Sequence, residues 1–173
     1  MDIQPDDQLQ DDRLTLVGLF AESFKGLHGK LEQDLARDCG LPLQWFELLI
    51  RLARSPGQRL RMSDLALQTS LTPSGLTRAV DRLEAAGLVQ RVACPSDRRG
   101  AYAALTHSGL QRTRAAVGPH LRHIQEHLTG LLTAGEQQAL AGLLRKIRDH
   151  VNPDAATVTT PAEPQVGAAS AGC

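Results

Sequence analysis

Apolar residues recur every three or four positions between Leu14 and Leu35, which is the repeat of one face of an α-helix. The stripe comprises Leu14, Val17, Phe20, Phe24, Leu27, Leu31 and Leu35. Gly40 ends this first helix, because glycine readily adopts the left-handed conformation that closes helices. Pro42 begins a second helix, and Pro56-Gly57 closes it. The pattern therefore predicts two amphipathic helices in succession.

Two shorter helices and a hairpin are predicted in the middle of the chain. Ser63 has the side chain of a helix N-cap, and Thr72-Pro73 repeats that start signal before a fourth helix that ends at Gly87. Two strand-like runs and the polar turn between them follow: Leu88–Ala93, Cys94–Gly100 and Ala101–Leu105. A helix, a tight turn, a second helix and a hairpin in this order predict a winged helix-turn-helix.

Two longer helices complete the pattern. Thr106 caps the fifth helix, whose apolar positions continue to Leu131, and Gly118-Pro119 within it predicts a kink. Thr133 and Glu136 have the spacing of a capping box and open a sixth helix that runs to Val151. The predicted fold is thus mainly α with a small β-hairpin wing, in which long apolar helices flank the winged helix-turn-helix.

The distribution of charge matters more than its sum, because the formal net charge is +0. The first twelve residues carry five aspartates and neither Lys nor Arg, whereas the stretch from Arg59 to Arg99 is rich in arginine. A phosphate backbone would meet that local basic patch. The acidic start has no apolar core of a secretory signal, and no apolar run is long enough to span a bilayer. We therefore expect a cytoplasmic protein without a membrane partner.

The fourth helix and the hairpin carry the residue types of a DNA-reading surface. Small and hydroxyl-bearing residues at the start of the helix allow close approach to a duplex, and Arg78 can reach base edges or phosphates. The wing carries Asp97, Arg98 and Arg99, and a basic hairpin tip can enter a narrow minor groove. The predicted DNA-binding residues are Ser70, Thr72, Ser74, Gly75, Thr77, Arg78, Arg82, Asp97, Arg98 and Arg99.

Three segments together resemble the MarR (multiple antibiotic resistance regulator) family. The run from Asp97 to Thr106 matches that family's D-x-R-x(5)-L-T wing pattern. The run from Leu76 to Arg91 resembles its recognition helix leading into the wing, and Leu43–Leu49 resembles its second helix. The resemblance covers about Leu14 to Val151 and implies a winged helix-turn-helix transcriptional regulator, most often a repressor, that binds DNA as a homodimer.

The resemblance also assigns roles to the predicted regions. Residues 13–58 and 106–151 would form a helical dimerisation region, made of helices at 13–39 and 106–151 with a supporting helix at 42–54. Residues 59–105 would form the DNA-binding lobe. We expect disorder in the acidic residues 1–12 and in the Pro-, Ala-, Thr- and Gly-rich residues 152–173. Two recognition helices one helical turn apart would read a pseudo-palindrome.

Members of the family often bind small aromatic acids, which makes such an effector the expected partner besides DNA. An arginine can pair with a carboxylate, and aromatic side chains can hold a ring. The predicted ligand-binding residues are Arg13, Phe20, Phe24, His28, Trp45 and Leu49. The alternative is that the aromatic residues belong to the core and that Arg13 is a surface charge.

Zinc and redox sensing are two further alternatives. His120, His123 and His127 share one face of the fifth helix, and His123 and His127 have the i, i+4 spacing that can chelate zinc. A further ligand, Cys39 or Glu32, is not placed by the sequence. The cysteines (Cys39, Cys94 and Cys173) are widely spaced, so they predict neither a disulfide framework nor a resolving pair.

The remaining classes are an enzyme and a helical protein-interaction module. The sequence has no phosphate-binding glycine loop, no HExxH and no G-x-S-x-G, so we expect no catalytic residue and no cofactor. An interaction module whose wing contacts protein would share the same elements but would not bind duplex DNA.

Overall fold

The computed structural model describes residues 8–69, 71–94 and 97–153, and the side chains of Cys94 and residues 97–100 lie outside that description. The helices, numbered in chain order, are α1 (Asp12–Cys39), α2 (Leu43–Arg54), α3 (Met62–Leu67), α4 (Pro73–Ala85), α5 (His107–His127) and α6 (Ala134–Val151). The strands are β1 (Arg59–Arg61), β2 (Val89–Cys94) and β3 (Asp97–Leu105). Short 3-10 turns lie at Pro56–Gln58 and Thr129–Leu131. The predicted fold class is confirmed.

The helix boundaries follow the predicted capping signals closely. Gly40 closes α1 in the left-handed conformation with φ of 56°, and Gly87 has φ of 69° just beyond α4. Thr72 caps α4 by accepting a hydrogen bond from the Gly75 amide at 3.1 Å. Thr106 accepts one from the Gly109 amide at 2.9 Å. Local side-chain chemistry therefore sets these helix ends.

The start of α3 differs from the prediction. Residues Arg59–Arg61 form strand β1, which the sequence pattern did not predict, and α3 begins directly after it with Arg61 at the N-cap. Ser63 therefore lies inside the helix, where its hydroxyl donates to Asp64 at 3.0 Å. The prediction of Ser63 as the N-cap was wrong because the extended β1 backbone already supplies the turn into α3.

The three strands form an antiparallel sheet in the order β1-β3-β2. In the register, Arg61 lies opposite Tyr102 and Val89 lies opposite Leu105. An irregularity follows Ala93, and β3 begins at Asp97, so strand structure extends into the predicted turn Cys94–Gly100. Such irregularities re-aim a hairpin end.

The described residues fall into two compact units, and the first combines residues 44–114 with those from Ala134 onward. In this unit α4 contacts β2, and α3 contacts β1 and β3. Its fully or nearly fully buried apolar side chains are Phe46, Leu48, Leu49, Leu52, Leu65, Leu76, Ala79, Val80, Leu83, Val89 and Ala103. Their close packing gives this unit its own hydrophobic core.

The second unit combines the described residues up to Leu43 with Ala115–Thr133. Leu35 is fully buried in the C-terminal half of α1, whereas the N-terminal half exposes its apolar side chains to solvent. Helix α5, whose second half belongs to this unit, continues through Pro119. This division places α2 in the same unit as the predicted winged helix-turn-helix, and the boundaries predicted for the dimerisation region stay a prediction. Within the described residues, no helix is long and apolar enough to cross a membrane.

Candidate nucleic-acid interface

Arg51 of α2 forms a hydrogen bond with the backbone at the start of the turn in the helix-turn-helix. The Arg51 guanidinium donates through Nε to the carbonyl oxygen of Gln68 at 2.9 Å and through Nη1 to that of Glu47 at 2.9 Å. Gln68 is the C-cap of α3, so Arg51 satisfies a carbonyl at the end of the first helix of the motif. Burial lowers the pKa of Arg51, and the nearby Glu47 charge acts against that shift. Arg51 thus fixes where the turn begins.

The N-terminus of α4 is set by Thr72 and Pro73. Thr72 has extended backbone angles (φ −65°, ψ 156°), and Pro73 occupies the first turn, where its missing amide hydrogen costs nothing. A Cβ atom at Gly75 would lie 3.1 Å from Thr72 Oγ1, so glycine keeps the cap uncrowded. The Thr77 hydroxyl donates to the Pro73 carbonyl at 3.0 Å. This capped positive end of a helix favours a nearby phosphate.

The two faces of α4 divide as the sequence predicts. Leu76, Ala79, Val80 and Leu83 are buried. The opposite side carries Thr72, Ser74, Thr77, Arg78, Asp81 and Arg82, all of them exposed, with Gly75 partly exposed. The sheet and core hold one face, and a continuous row of hydroxyls and charges remains accessible to a groove.

Arg78 and Arg82 are available for intermolecular contacts. Both side chains are exposed, and neither forms an ion pair with any residue in the described part of the chain. Long cationic side chains without an internal partner lose little when they turn toward a phosphate or a guanine edge. This pair is the most direct structural sign of an anionic partner.

The base of the wing has its own basic surface. The guanidinium carbons of Arg59 and Arg61 lie 5.2 Å and 5.8 Å from the centre of the Tyr102 ring, which is a cation–π geometry. The predicted contacts Ser70, Asp97, Arg98 and Arg99 lie outside the residues or side chains that the structure describes. Their roles stay predictions.

Comparison with known proteins supports the same interpretation of this region. The family model described as "MarR family" matches residues 40–100. The transcriptional repressor NicR of Pseudomonas putida is 38% identical over 87 residues, which cover 50% of this chain and 54% of NicR. The chain therefore spans about half the length of that relative. The transcriptional repressor Rv2887 of Mycobacterium tuberculosis is 33% identical over 108 residues, 62% of this chain and 76% of Rv2887.

A solved structure extends the match over most of the chain. Sco3205, a MarR family transcriptional regulator from Streptomyces coelicolor determined in complex with DNA, superposes with a TM-score of 0.75 at 33% identity. The superposition covers 88% of this chain and 92% of Sco3205. This chain belongs to the MarR family. It has the winged helix-turn-helix fold of that family's transcriptional regulators, as its sequence predicts.

The residues predicted to bind an effector in this MarR protein have different environments. Phe20 and Phe24 are exposed, and the Phe24 ring lies 5.7 Å from the ring of His28. Arg13 is exposed and pairs with the carboxylate of Asp11, which is the N-cap of α1. That pairing raises the pKa of Arg13 and lowers the pKa of Asp11.

The two remaining effector candidates lie in the other unit, on α2. Trp45 is half-buried, and Leu49 is fully buried in the core of the DNA-binding lobe. The structure therefore brings the rings of Phe24 and His28 together within one unit, whereas Leu49 is a core residue of the other unit. Ligand binding at all six positions stays a prediction.

Two histidines of α5 form hydrogen bonds with aspartates of α1. His123 Nε2 lies 2.7 Å from Asp38 Oδ2, and His127 Nε2 lies 2.7 Å from Asp34 Oδ2. Arg37 contacts both carboxylates and, with His123, lowers the pKa of Asp38 to about 2. In the part of the chain described, no three His, Cys, Asp or Glu side chains are grouped to hold a metal ion.

Sequence reasoning missed the carbonyl contacts of Arg51 and a second polar network at the base of the wing. Glu84 Oε2 accepts from Arg91 Nη1 at 2.7 Å, and Asp81 Oδ1 lies 2.6 Å from Arg91 Nη2. An acidic residue facing an arginine seven positions later, across a helix-to-strand turn, is a weak signal without knowledge of the register.

Proposed function

We propose that this MarR family regulator is a homodimeric, effector-responsive repressor that binds a pseudo-palindromic operator. The observation that carries the proposal is the exposed face of α4, where Arg78 and Arg82 follow a capped helix N-terminus and have no ion-pair partner among the described residues. The names of NicR and Rv2887 describe repressors, and Sco3205 was solved with DNA. Both facts support repression through DNA binding.

The apolar surfaces of the long helices support a second copy of the chain as the dimer partner. The exposed large apolar residues of α1 are Leu14, Leu16, Val17, Leu19, Phe20 and Phe24, and those of α6 are Leu143, Leu144, Ile147 and Val151. Monomeric proteins rarely leave such contiguous patches in water. A two-fold interface would bury them and present two α4 helices with the same spacing as a palindromic site.

DNA binding is tested with a duplex selected from a random-sequence pool by the wild-type protein. Its affinity should fall steeply with salt, with a log–log slope of about −0.9 for each phosphate neutralised. Arg78→Ala and Arg82→Ala should each weaken binding about tenfold, in line with loss of one strong contact of ~1–3 kcal/mol. Arg145→Ala removes an exposed arginine of α6 and is the matched control.

The slope of affinity against salt concentration distinguishes phosphate contacts from base contacts. A variant that has lost a phosphate contact shows a slope smaller by about 0.9, whereas loss of a base contact leaves the slope unchanged and relaxes sequence preference. Equal affinities for wild type, both variants and the control would contradict the proposed interface. Failure of the wild type to enrich any duplex would contradict DNA recognition by this chain.

An aromatic acid is the effector class that we propose from the exposed ring pair Phe24–His28. Salicylate should raise the melting temperature and release the selected duplex, because a ligand that binds only the folded state stabilises it. Cyclohexanecarboxylate has the same charge without the aromatic ring and is the control. Release by zinc or by peroxide instead of salicylate would identify a different sensor.

A further inference from the structure

Arg91 ties the first wing strand to α4, the recognition helix, mainly through two carboxylates, with a longer contact of 3.5 Å from Nη2 to the Thr77 carbonyl oxygen. Its guanidinium donates to Glu84 Oε2 at 2.7 Å, and its backbone amide donates to Glu84 Oε1 at 2.9 Å. The same guanidinium lies 2.6 Å from Asp81 Oδ1. The two carboxylates belong to consecutive turns of α4, and Arg91 lies in β2 opposite Ala103 of β3.

The Glu84 carboxylate engages both the side chain and the backbone of Arg91. A side-chain ion pair alone would leave the strand free to shift, whereas a second bond to the backbone amide fixes the strand itself against the helix. Hydrogen bonds to charged groups are stronger than neutral ones. Arg91 is only 31% exposed, so solvent screens the contacts less than those of a fully exposed pair. Asp81 and, to a smaller extent, Glu84 raise the pKa of Arg91.

The contacts lie between the two parts of the DNA-reading surface. Asp81 belongs to the exposed row of α4 that includes Arg78 and Arg82, and Arg91 lies three residues before Cys94, where β2 ends. Unlike Arg78 and Arg82, Arg91 forms ion pairs with two carboxylates of the same unit. It is therefore suited to holding the helix and the strand together and not to contacting DNA.

We propose that Glu84 and Arg91, assisted by Asp81, are positioning residues that set the angle between the recognition helix and the wing, so that both contact one duplex at the same time. This inference rests on the proposed DNA contacts of α4 and the wing. It assigns a role in DNA reading to residues that do not touch DNA.

The test compares wild type with Glu84→Gln on the duplex selected by the wild-type protein. Gln keeps the size of the side chain and one oxygen acceptor but removes the charge. We expect at least about tenfold weaker binding, as for loss of one charge-assisted hydrogen bond. We also expect loss of hydroxyl-radical protection in the minor groove beneath the wing, with protection of guanine N7 in the major groove unchanged.

Electrostatics alone predicts the opposite sign, since removal of a negative charge near DNA strengthens binding to phosphates. Asp149→Asn, which removes one carboxylate from the exposed Arg148–Asp149 pair of α6, controls for the change in net charge. Wild-type or tighter binding by Glu84→Gln, with the wing footprint intact, would overturn the inference and leave the proposed function standing.

A double-mutant cycle with the wing arginines makes the test independent of stability. If Glu84 acts through the wing, Glu84→Gln should cost less than about twofold once Arg98 and Arg99 are both alanine, because the wing contact is already lost. Fully additive losses would show a general effect on folding and overturn the inference. If Glu84→Gln melts at a much lower temperature than wild type, Asp81→Asn takes its place in the cycle. A loss below about twofold then supports the inference, and additive losses overturn it. A wild-type protein that selects no duplex would instead refute the proposed function itself.

Discussion

Helices α1 and α4 carry apolar stripes of the same spacing, but the stripe of α4 is buried and the first half of the stripe of α1 is exposed. In α4, Leu76 and Leu83 are 2% and 0% exposed, because the sheet and α2 belong to the same unit. In the first half of α1, Phe20 and Phe24 are 54% and 62% exposed. An amphipathic pattern therefore specifies a face that needs a partner but not which molecule supplies it. For α4 the partner is within the chain, and for α1 we propose the second subunit.

The largest effect on stability is expected in the core beneath α4. Leu83→Ala should lower the free energy of unfolding by ~2–5 kcal/mol, because a fully buried leucine is replaced by a cavity. Leu16→Ala, at a position 68% exposed in the subunit, is the matched substitution in α1. In protein diluted below the dimer dissociation constant, urea titration should show little change for Leu16→Ala, because the proposed interface is then not formed. Equal losses for both variants under these conditions would contradict the distinction.

The proposed dimer is broken by a charge on the exposed face of α1. Phe20→Glu should raise the dimer dissociation constant at least about 100-fold, since an unpaired charge buried at an interface costs several kcal/mol. Sedimentation velocity over a range of concentrations measures the change. Thr15→Glu, at an exposed polar position on the same helix, supplies the control. An unchanged dissociation constant for Phe20→Glu would place the interface elsewhere.

Alanine substitutions at two glycines compare a closely packed position, Gly109, with an open one, Gly26. A Cβ atom at Gly109 would lie 2.0 Å from the Leu88 carbonyl oxygen, so Gly109→Ala should destabilise the lobe by ~1–3 kcal/mol. Gly26 lies inside α1 with nothing within 4 Å of such an atom, so Gly26→Ala should stabilise by ~0.5–1 kcal/mol through helix propensity. Thermal melts compare the two, and a shift of the same sign for both would be inconsistent with the packing described.

The smallest expected effect depends on pH and concerns the C-terminal end of α1. Because Arg37 and His123 lower the pKa of Asp38 to about 2 from 3.8, its charged form stabilises the fold above pH 3.8. This contribution is lost as the pH falls toward 2. Asp38→Asn should therefore melt below wild type near neutral pH, and the gap should close under acid. A gap that stays constant from neutral pH into this acid range would show that the charge is not involved.

Most of the fold could be predicted because its signals are local. Thr72, Gly87 and Thr106 act through their own backbone surroundings, so their sequence positions suffice to place helix ends. Strand β1 could not be predicted, since three residues have too little pattern and become a strand only by pairing with β3.

In the candidate site too, the features that depend on local sequence could be predicted and those that depend on contacts between elements could not. The exposed row of α4 follows from a 3.6-residue repeat once the buried face is known. The contacts of Arg51 with Gln68, and of Arg91 with Glu84, join residues on different elements. Their identification requires the register and the packing angle, which one sequence does not contain.

The central claim is that two copies of α4 read one duplex from a two-fold dimer. Hydroxyl-radical footprinting on the selected duplex, combined with the mass of the complex from sedimentation, tests it directly. We predict two chains per duplex and two protected half-sites centred about 10–10.5 base pairs apart, ~34–36 Å along the helix axis. One chain bound at a single asymmetric site would contradict the account.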